Sequence, residues 1–294
     1  MRKTVSWLGI VAVAAGMSFA SAPVAAARDD GRMIAYARST GDQDRPRFTE
    51  IFVMDADGTD VVALTENHRE DAYPALSPDG ERIAFSRRIK GQYDLFVMDV
   101  DGSDPVRILR TGNADEVLPA WSPDGKRLAY TSTTALPEEG WQSDVYKLRL
   151  RDGRFTRLTF TPRTKEFAPD WSPDGTEIAF TKQDYKREKY GIAAVTPDGT
   201  GLRWVVINPL TKSGYTDVNP SWSPDSEWIA FSRDHGDDPY VDVYKVSRDG
   251  SEVVAVTNLS ELAENPVWVT TTGSSSCTTR GSRWCPRTAA RSST

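Results

Sequence analysis

The chain has 294 residues, 38% hydrophobic, 27% charged and 10% aromatic, with a formal charge of −6. This composition excludes a disordered chain and a helical integral membrane protein, and the acidic balance argues against a nucleic-acid-binding surface. Two cysteines, Cys277 and Cys285, exclude a disulfide scaffold or Cys-rich zinc protein, and two histidines, His68 and His235, leave little material for His-based catalysis.

Arg2 and Lys3 precede an uncharged stretch whose apolar heart, Val5 to Phe19, has the length of a signal h-region. Ala25-Ala26-Ala27 supplies a small-residue cleavage pattern, so residues 1–27 are expected to be a signal peptide. The expected mature protein is exported and has no membrane span after cleavage.

From Arg32 onward one unit recurs. Four turns carry it: Pro74-Ala75-Leu76-Ser77-Pro78-Asp79-Gly80, Pro119-Ala120-Trp121-Ser122-Pro123-Asp124-Gly125, Pro169-Asp170-Trp171-Ser172-Pro173-Asp174-Gly175 and Pro220-Ser221-Trp222-Ser223-Pro224-Asp225-Ser226. A fifth, Pro266-Val267-Trp268, starts correctly and then breaks. The spacing of these leading prolines suits a four-stranded propeller blade. In each unit proline, an apolar residue and serine form a first strand. Ser-Pro-Asp-Gly turns the chain, because Pro presets φ and Gly accepts positive φ at the exit. A second strand follows as Ile83-Ala84-Phe85, Leu128-Ala129-Tyr130, Ile178-Ala179-Phe180 and Ile229-Ala230-Phe231, with Ile34-Ala35-Tyr36 as a copy that lacks the turn. Third strands such as Leu95-Phe96-Val97-Met98 and Val243-Tyr244-Lys245-Val246 end in Asp-Gly hairpins, and a short fourth strand closes each unit. The runs Asp55-Ala56-Asp57-Gly58-Thr59-Asp60 and Asp99-Val100-Asp101-Gly102-Ser103-Asp104 superficially look like calcium loops. They lack the calcium-loop spacing and distal Glu, so they read as hairpin turns.

The expected fold is an all-β propeller of four-stranded blades over 28–268. Three N-terminal strands and the piece at Pro266–Trp268 would close a five-bladed ring, the alternative being an incomplete six-bladed one. From residue 269 the composition turns to Thr, Ser and four arginines without an acid, which predicts a disordered basic tail over 269–294 or a reading-frame artefact in the sequence.

The Pro-x-Trp-Ser-Pro-Asp-Gly-x-x-Ile-Ala-Phe repeat resembles the WD40-like (PD40) repeat of the TolB-type β-propellers. The resemblance covers about 31–268. It implies a propeller, and a place beside the periplasmic TolB proteins or the propeller domains of prolyl oligopeptidase-like proteins. The α/β domain that precedes the TolB propeller is not expected here, and no Gly-x-Ser-x-Gly elbow supports a hydrolase.

Candidate site residues come from position within the unit. Three residues before each leading proline stand Asp71, Glu116, Glu166 and Asp217, with Ala263 fifth and Glu264 beside it. Pseudosymmetry would set these acids in a ring at the channel mouth, where they would attract a basic partner or a cation. The competing reading is local turn chemistry, each acid capping backbone N–H groups. Trp121, Trp171, Trp222 and Trp268 recur at one position and are expected to pack between blades. Trp141, Tyr185 and Tyr240 lie off that register, in loops between second and third strands, and are candidates for partner contact. His235, between Asp234 and Asp237, is expected to be solvated, and the metal role of the chain is open.

No nucleophile and base assemble in the sequence. The expected function is therefore an exported, non-enzymatic scaffold binding a protein or peptide partner of the cell envelope, in the periplasm or outside the cell, as a monomer and without a cofactor. Subtracting Arg2, Lys3 and the four tail arginines from −6 leaves −12 on residues 28–268, which favours a basic partner. The alternative is a secreted hydrolase or lyase acting on carbohydrate or peptide through a carboxylate pair.

Overall fold

A computed structural model describes residues 33–40, 48–55, 58–136, 140–209, 216–234, 241–257, 264–271 and 274–280. The expected signal peptide, residues 1–27, lies outside them.

Every described element is a strand, and the strands follow one another as antiparallel meanders. Unit I contains β1 (Met33–Thr40), β2 (Phe48–Asp55) and β3 (Val62–Ala63). Unit II contains β4 (Asp71–Leu76), β5 (Arg82–Ile89), β6 (Gln92–Asp99) and β7 (Val106–Leu109). Unit III contains β8 (Asp115–Trp121), β9 (Arg127–Leu136), β10 (Gly140–Arg149) and β11 (Phe155–Arg157). Unit IV contains β12 (Thr164–Trp171), β13 (Ile178–Asp184), β14 (Lys189–Val195) and β15 (Arg203–Pro209). Unit V contains β16 (Thr216–Trp222), β17 (Trp228–Asp234), β18 (Val241–Ser247) and β19 (Val253–Ala255). A last pair, β20 (Glu264–Thr271) and β21 (Ser274–Arg280), follows. Units III and IV touch through one parallel bridge, Ser143 to Lys165.

The units pack face to face, so the second strand of each is covered on both sides. Ile83, Ala84 and Phe85 are fully buried, as are Leu128, Ala129 and Tyr130, Ile178, Ala179 and Phe180, and Ile229, Ala230 and Phe231. The small alanine on one face lets the neighbouring sheet approach while the aromatic ring fills the other side. The recurring tryptophans sit in these seams. Trp171 packs with Ala120, Val145 and Leu158 of unit III, and Trp222 with Ala179, Ile192 and Val205 of unit IV. Trp121 also donates its indole N–H to the carbonyl of Ala75 in the preceding unit at 2.9 Å.

The Ser-Pro-Asp-Gly turns form as their sequence predicts. In unit III Gly125 N–H donates to Ser122 O at 2.9 Å, and the Ser122 hydroxyl donates to Asp124 Oδ1 at 2.5 Å. Unit V lacks the glycine, and Ser226 itself adopts φ 62°. The Asp-Gly runs are hairpin turns: Gly102 N–H returns to Asp99 O at 2.9 Å, and Asp101 accepts the Ser103 N–H at 2.9 Å.

One backbone feature was not foreseen. The residue before each leading proline, Tyr73, Leu118, Ala168, Asn219 and Asn265, has φ between 53° and 56°. A register shift accompanies it in β4, β8, β12, β16 and β20. Each inner strand thus carries a bulge, which turns its proline–tryptophan segment onto the neighbouring unit. Three of these left-handed residues donate their N–H to a hydroxyl in the preceding unit: Ala168 to Thr131 at 3.2 Å, Asn219 to Thr181 at 3.0 Å and Asn265 to Ser232 at 2.9 Å.

Two expectations about the C-terminus change. β20 pairs with β21, and among the described residues no ladder joins it to β1, so the described strands do not show the expected five-bladed closure. Of the stretch 269–294 expected to be unstructured, 269–271 belong to β20 and 274–280 form β21, and the remainder lies outside the described residues. The backbone of β21 pairs across the edge of β20, the edge through which β1 would have had to close the ring.

Candidate functional site

Antiparallel pairing brings the start of each inner strand to the end of the unit where second and third strands are joined, as Thr164 opposite Asp184 shows in unit IV. The four pseudo-equivalent carboxylates lie at that end, as the sequence anticipates. They stand on the strands, however, rather than on the entering loops. Asp71, Glu116 and Glu166 are fully buried and Asp217 is 1% exposed. A partner at the surface does not reach them. The reason is cross-strand pairing, which fixes what each carboxylate meets. Asp71 is opposite Arg87, Glu166 opposite Lys182 and Asp217 opposite Arg233, while Glu116 is opposite Ser132.

Three of the four are therefore ion pairs within one unit. Arg87 holds Asp71 bidentately, both contacts at 2.7 Å, and Asn67 adds a hydrogen bond at 2.7 Å. Arg233 holds Asp217 at 2.7 and 2.9 Å, with Asn208 also bonded to it. Lys182 donates to Glu166, which also accepts the Thr161 hydroxyl at 2.8 Å. Glu116 has the Thr111 hydroxyl on Oε1, and its Oε2 has no hydrogen-bond partner among the described residues. Burial, with the charge of nearby Asp94 added, pushes the Glu116 carboxyl up to about 7. The sequence does hold the missing signal: in three units a cation stands 16 residues after the acid, and in the third unit a serine stands there.

A second tier of acids lies on the third strands. Asp94 is paired with Arg107 at 3.1 Å and Asp144 with Arg157 at 2.8 Å. Glu50 accepts the Thr65 hydroxyl at 2.6 Å. Burial raises the Asp144 and Glu50 carboxyls above the ordinary range. Asp170, beside Trp171, accepts the Trp222 N–H at 2.7 Å across the seam to unit V, and burial pushes it up to about 7. Among the described residues no three acids, histidines or cysteines converge at metal-binding distance.

The loop aromatics fare differently. Tyr185 is 47% exposed in the β13–β14 connection. Its hydroxyl donates to Gln183 at 2.7 Å, Tyr190 meets its ring edge-on at 5.6 Å, and Lys165 Nζ lies 5.5 Å from the ring centre. Arg187 closes that loop on Asp184 through its N–H at 3.0 Å and its guanidinium at 2.8 Å. Trp141 is on β10 opposite Ala135, its side chain outside the description, and Tyr240 and His235 lie outside the described residues altogether.

Comparison with known proteins places the fold. A "Tol-Pal system protein TolB" of Dinoroseobacter shibae is 34% identical over 133 residues, 45% of this chain and 28% of that protein. A dipeptidyl-peptidase 5 of Porphyromonas endodontalis is 32% identical over 82 residues, 28% of this chain and 12% of that protein. The chain thus spans well under two thirds of the curated relatives it matches. Among solved structures, TolB from Acinetobacter baumannii superposes with a TM-score of 0.62 at 22% identity, covering 81% of this chain and 55% of that one. An oligogalacturonate lyase in complex with manganese superposes at 0.54 and 16% identity, covering 78% and 63%. These structural likenesses show a shared propeller fold. With the TolB beta propeller domain matching residues 26–272, the chain belongs to that family.

Proposed function

We propose that this protein is an exported, non-enzymatic β-propeller scaffold that binds a protein or peptide partner in the cell envelope, in the periplasm or outside the cell. The observation that carries the reading is membership of the TolB propeller family over residues 26–272. The partner-facing surface is the end of the units that carries the loops between second and third strands. Tyr185 offers a half-exposed ring there, and Trp141 and Tyr240 belong to the corresponding segments of units III and V. Aromatic rings on a rigid scaffold give large contact area at small entropic cost. The buried acids below this surface act on the scaffold by fixing the inner strands, and the charge of −12 on residues 28–268 speeds encounter with a basic partner.

The alternative, a secreted hydrolase or lyase, would need carboxylates that a substrate can touch, and the four of the inner row are buried. The deciding experiment pairs two measurements on purified protein. Envelope extract is passed over wild type and a Tyr185→Ala variant of unchanged melting temperature, and glycan and peptide substrates are assayed for turnover. Retention of one partner by wild type and its loss from the variant supports the scaffold. Turnover of a substrate, abolished by neutralising one acid, overturns it.

A further inference from the structure

At the opposite end of unit III from its β9–β10 connection, the charge of the molecule reverses. A crevice of about 660 Å³ is lined by Arg127, Lys147, Arg149, Arg154, Phe155 and Thr156. Arg127 on β9 stands directly opposite Arg149 on β10, and Lys147 is two residues from Arg149 on the same face. Like charges directly opposite in a sheet destabilise it. The corresponding pair in unit II is Arg82 opposite Asp99, and in unit V Trp228 opposite Ser247. Unit III alone of these sets two arginines in that row.

The local acids do not cancel this charge. Asp124 meets Arg127 at 3.1 Å, and Asp152, which accepts both arms of the Arg149 fork at 2.9 and 2.6 Å, also lies 3.7 Å from Arg151 and 4.0 Å from Arg154. Lys147 faces unit IV, where its ammonium donates to the Pro197 carbonyl rather than to a carboxylate. Asp198 next to it is engaged in its own turn, accepting from the Thr196 hydroxyl at 2.5 Å and the Thr200 N–H at 2.9 Å. Burial chiefly, and then the charges of Arg127 and Arg149, depress the Lys147 ammonium, while Asp198 partly offsets them. Four cations thus line a crevice of small-ligand size beside only two exposed carboxylates, Asp124 and Asp152, on a chain of net charge −6.

We propose that this crevice at the end of unit III binds a small multivalent oxyanion, the class of ligands that presents two or more negative charges on phosphoryl or clustered carboxylate groups. Guanidinium groups meet such oxygens in a planar fork, and a second charge lets one ligand span Arg127 and Arg149 at once. Binding would replace the repulsion across the β9–β10 row with attraction. This site is independent of the partner surface, which lies at the other end of the units.

The test is calorimetric titration of the full chain at low ionic strength with inorganic pyrophosphate in one arm and citrate in the other, which separates phosphoryl from carboxylate ligands. An Arg127→Gln/Arg149→Gln variant should weaken binding of the favoured probe at least about tenfold, since it removes both forks. Arg154→Gln, on a side chain 81% exposed that leaves the fold untouched, should weaken it about threefold. Arg110→Gln, an equal charge change on an exposed residue outside the crevice, should leave the affinity within about twofold. No binding of either probe by wild type overturns the proposal, as does equal loss from Arg110→Gln and Arg154→Gln, which would mean attraction to net charge alone.

Discussion

Units III and IV are built on one plan and stand side by side, yet they solve the same electrostatic problem differently. Each buries a glutamate at the start of its inner strand, Glu166 in β12 and Glu116 in β8. Unit IV places Lys182 across the strand pair, so that charge is matched inside one sheet. Unit III places Ser132 there, so no cation stands opposite Glu116, and burial pushes its carboxyl up to about 7; the Oε2 of both glutamates has no hydrogen-bond partner among the described residues. The lesson is that the propeller needs the carboxylate's position more than its charge. A buried carboxylate can stay by pairing with a cation, or it can shed its charge and persist as an acid.

The strongest way to break the comparison is to make unit IV resemble unit III. Lys182→Ser strands Glu166 in a buried site, and stability should fall by about 3–5 kcal/mol, the cost of removing one partner of a buried pair. Chemical denaturation at pH 7 reads this directly. A loss under 1 kcal/mol would show that Glu166, like Glu116, simply takes up a proton.

The complementary change concerns pH. The Glu116 carboxyl rises from its ordinary value to about 7 in the folded state. The folded protein therefore binds this proton more tightly than the unfolded chain. The associated stability is fully present below about pH 4.5 and is lost as pH rises to about 7 and beyond. Asp170, also pushed up to about 7, adds a slope of the same sign. Glu116→Gln keeps an acceptor for Thr111 and removes the charge. It should stabilise the protein by about 1–3 kcal/mol above pH 7 and be near neutral at pH 4.5, with the Asp170 part of the slope remaining. Melting temperatures of both proteins from pH 4.5 to 8 test the sign; parallel curves would remove the contrast between the units.

The smallest effect lies in a feature that the two units share. Ala168 in β12 adopts φ 53°, as Leu118 does in β8 at 56°. A left-handed alanine is strained by about 1–2 kcal/mol, part of which glycine recovers and part of which it gives back in unfolded-state entropy. Ala168→Gly retains the N–H that bonds Thr131 and should stabilise by about 0.5–1 kcal/mol. A decrease in melting temperature would mean that the methyl group is needed in the seam.

Much of this architecture is written locally. Ser-Pro-Asp-Gly fixes its own turn because its serine hydroxyl, aspartate oxygen and glycine φ are satisfied within five residues, and the structure repeats that geometry at Ser122 and Ser172. Ile-Ala-Phe announces a strand buried on both faces, and the spaced tryptophans announce the seams, because both are demands of packing that each unit meets in the same way. The acids at Asp71, Glu116, Glu166 and Asp217 were legible as a set of equivalent positions. Their burial was not, since a residue three places before a proline does not reveal that the strand has already begun. Only pairing in three dimensions sets Lys182 against Glu166 and Ser132 against Glu116, and only the pairing of β9 with β10 gathers Arg127, Lys147 and Arg149 into one crevice. The edge of β20, likewise, was decided by which strand reached it. Sequence patterns determine turns and faces because those depend on neighbours along the chain; charge partners and edges depend on neighbours across it, and these the tertiary structure supplied.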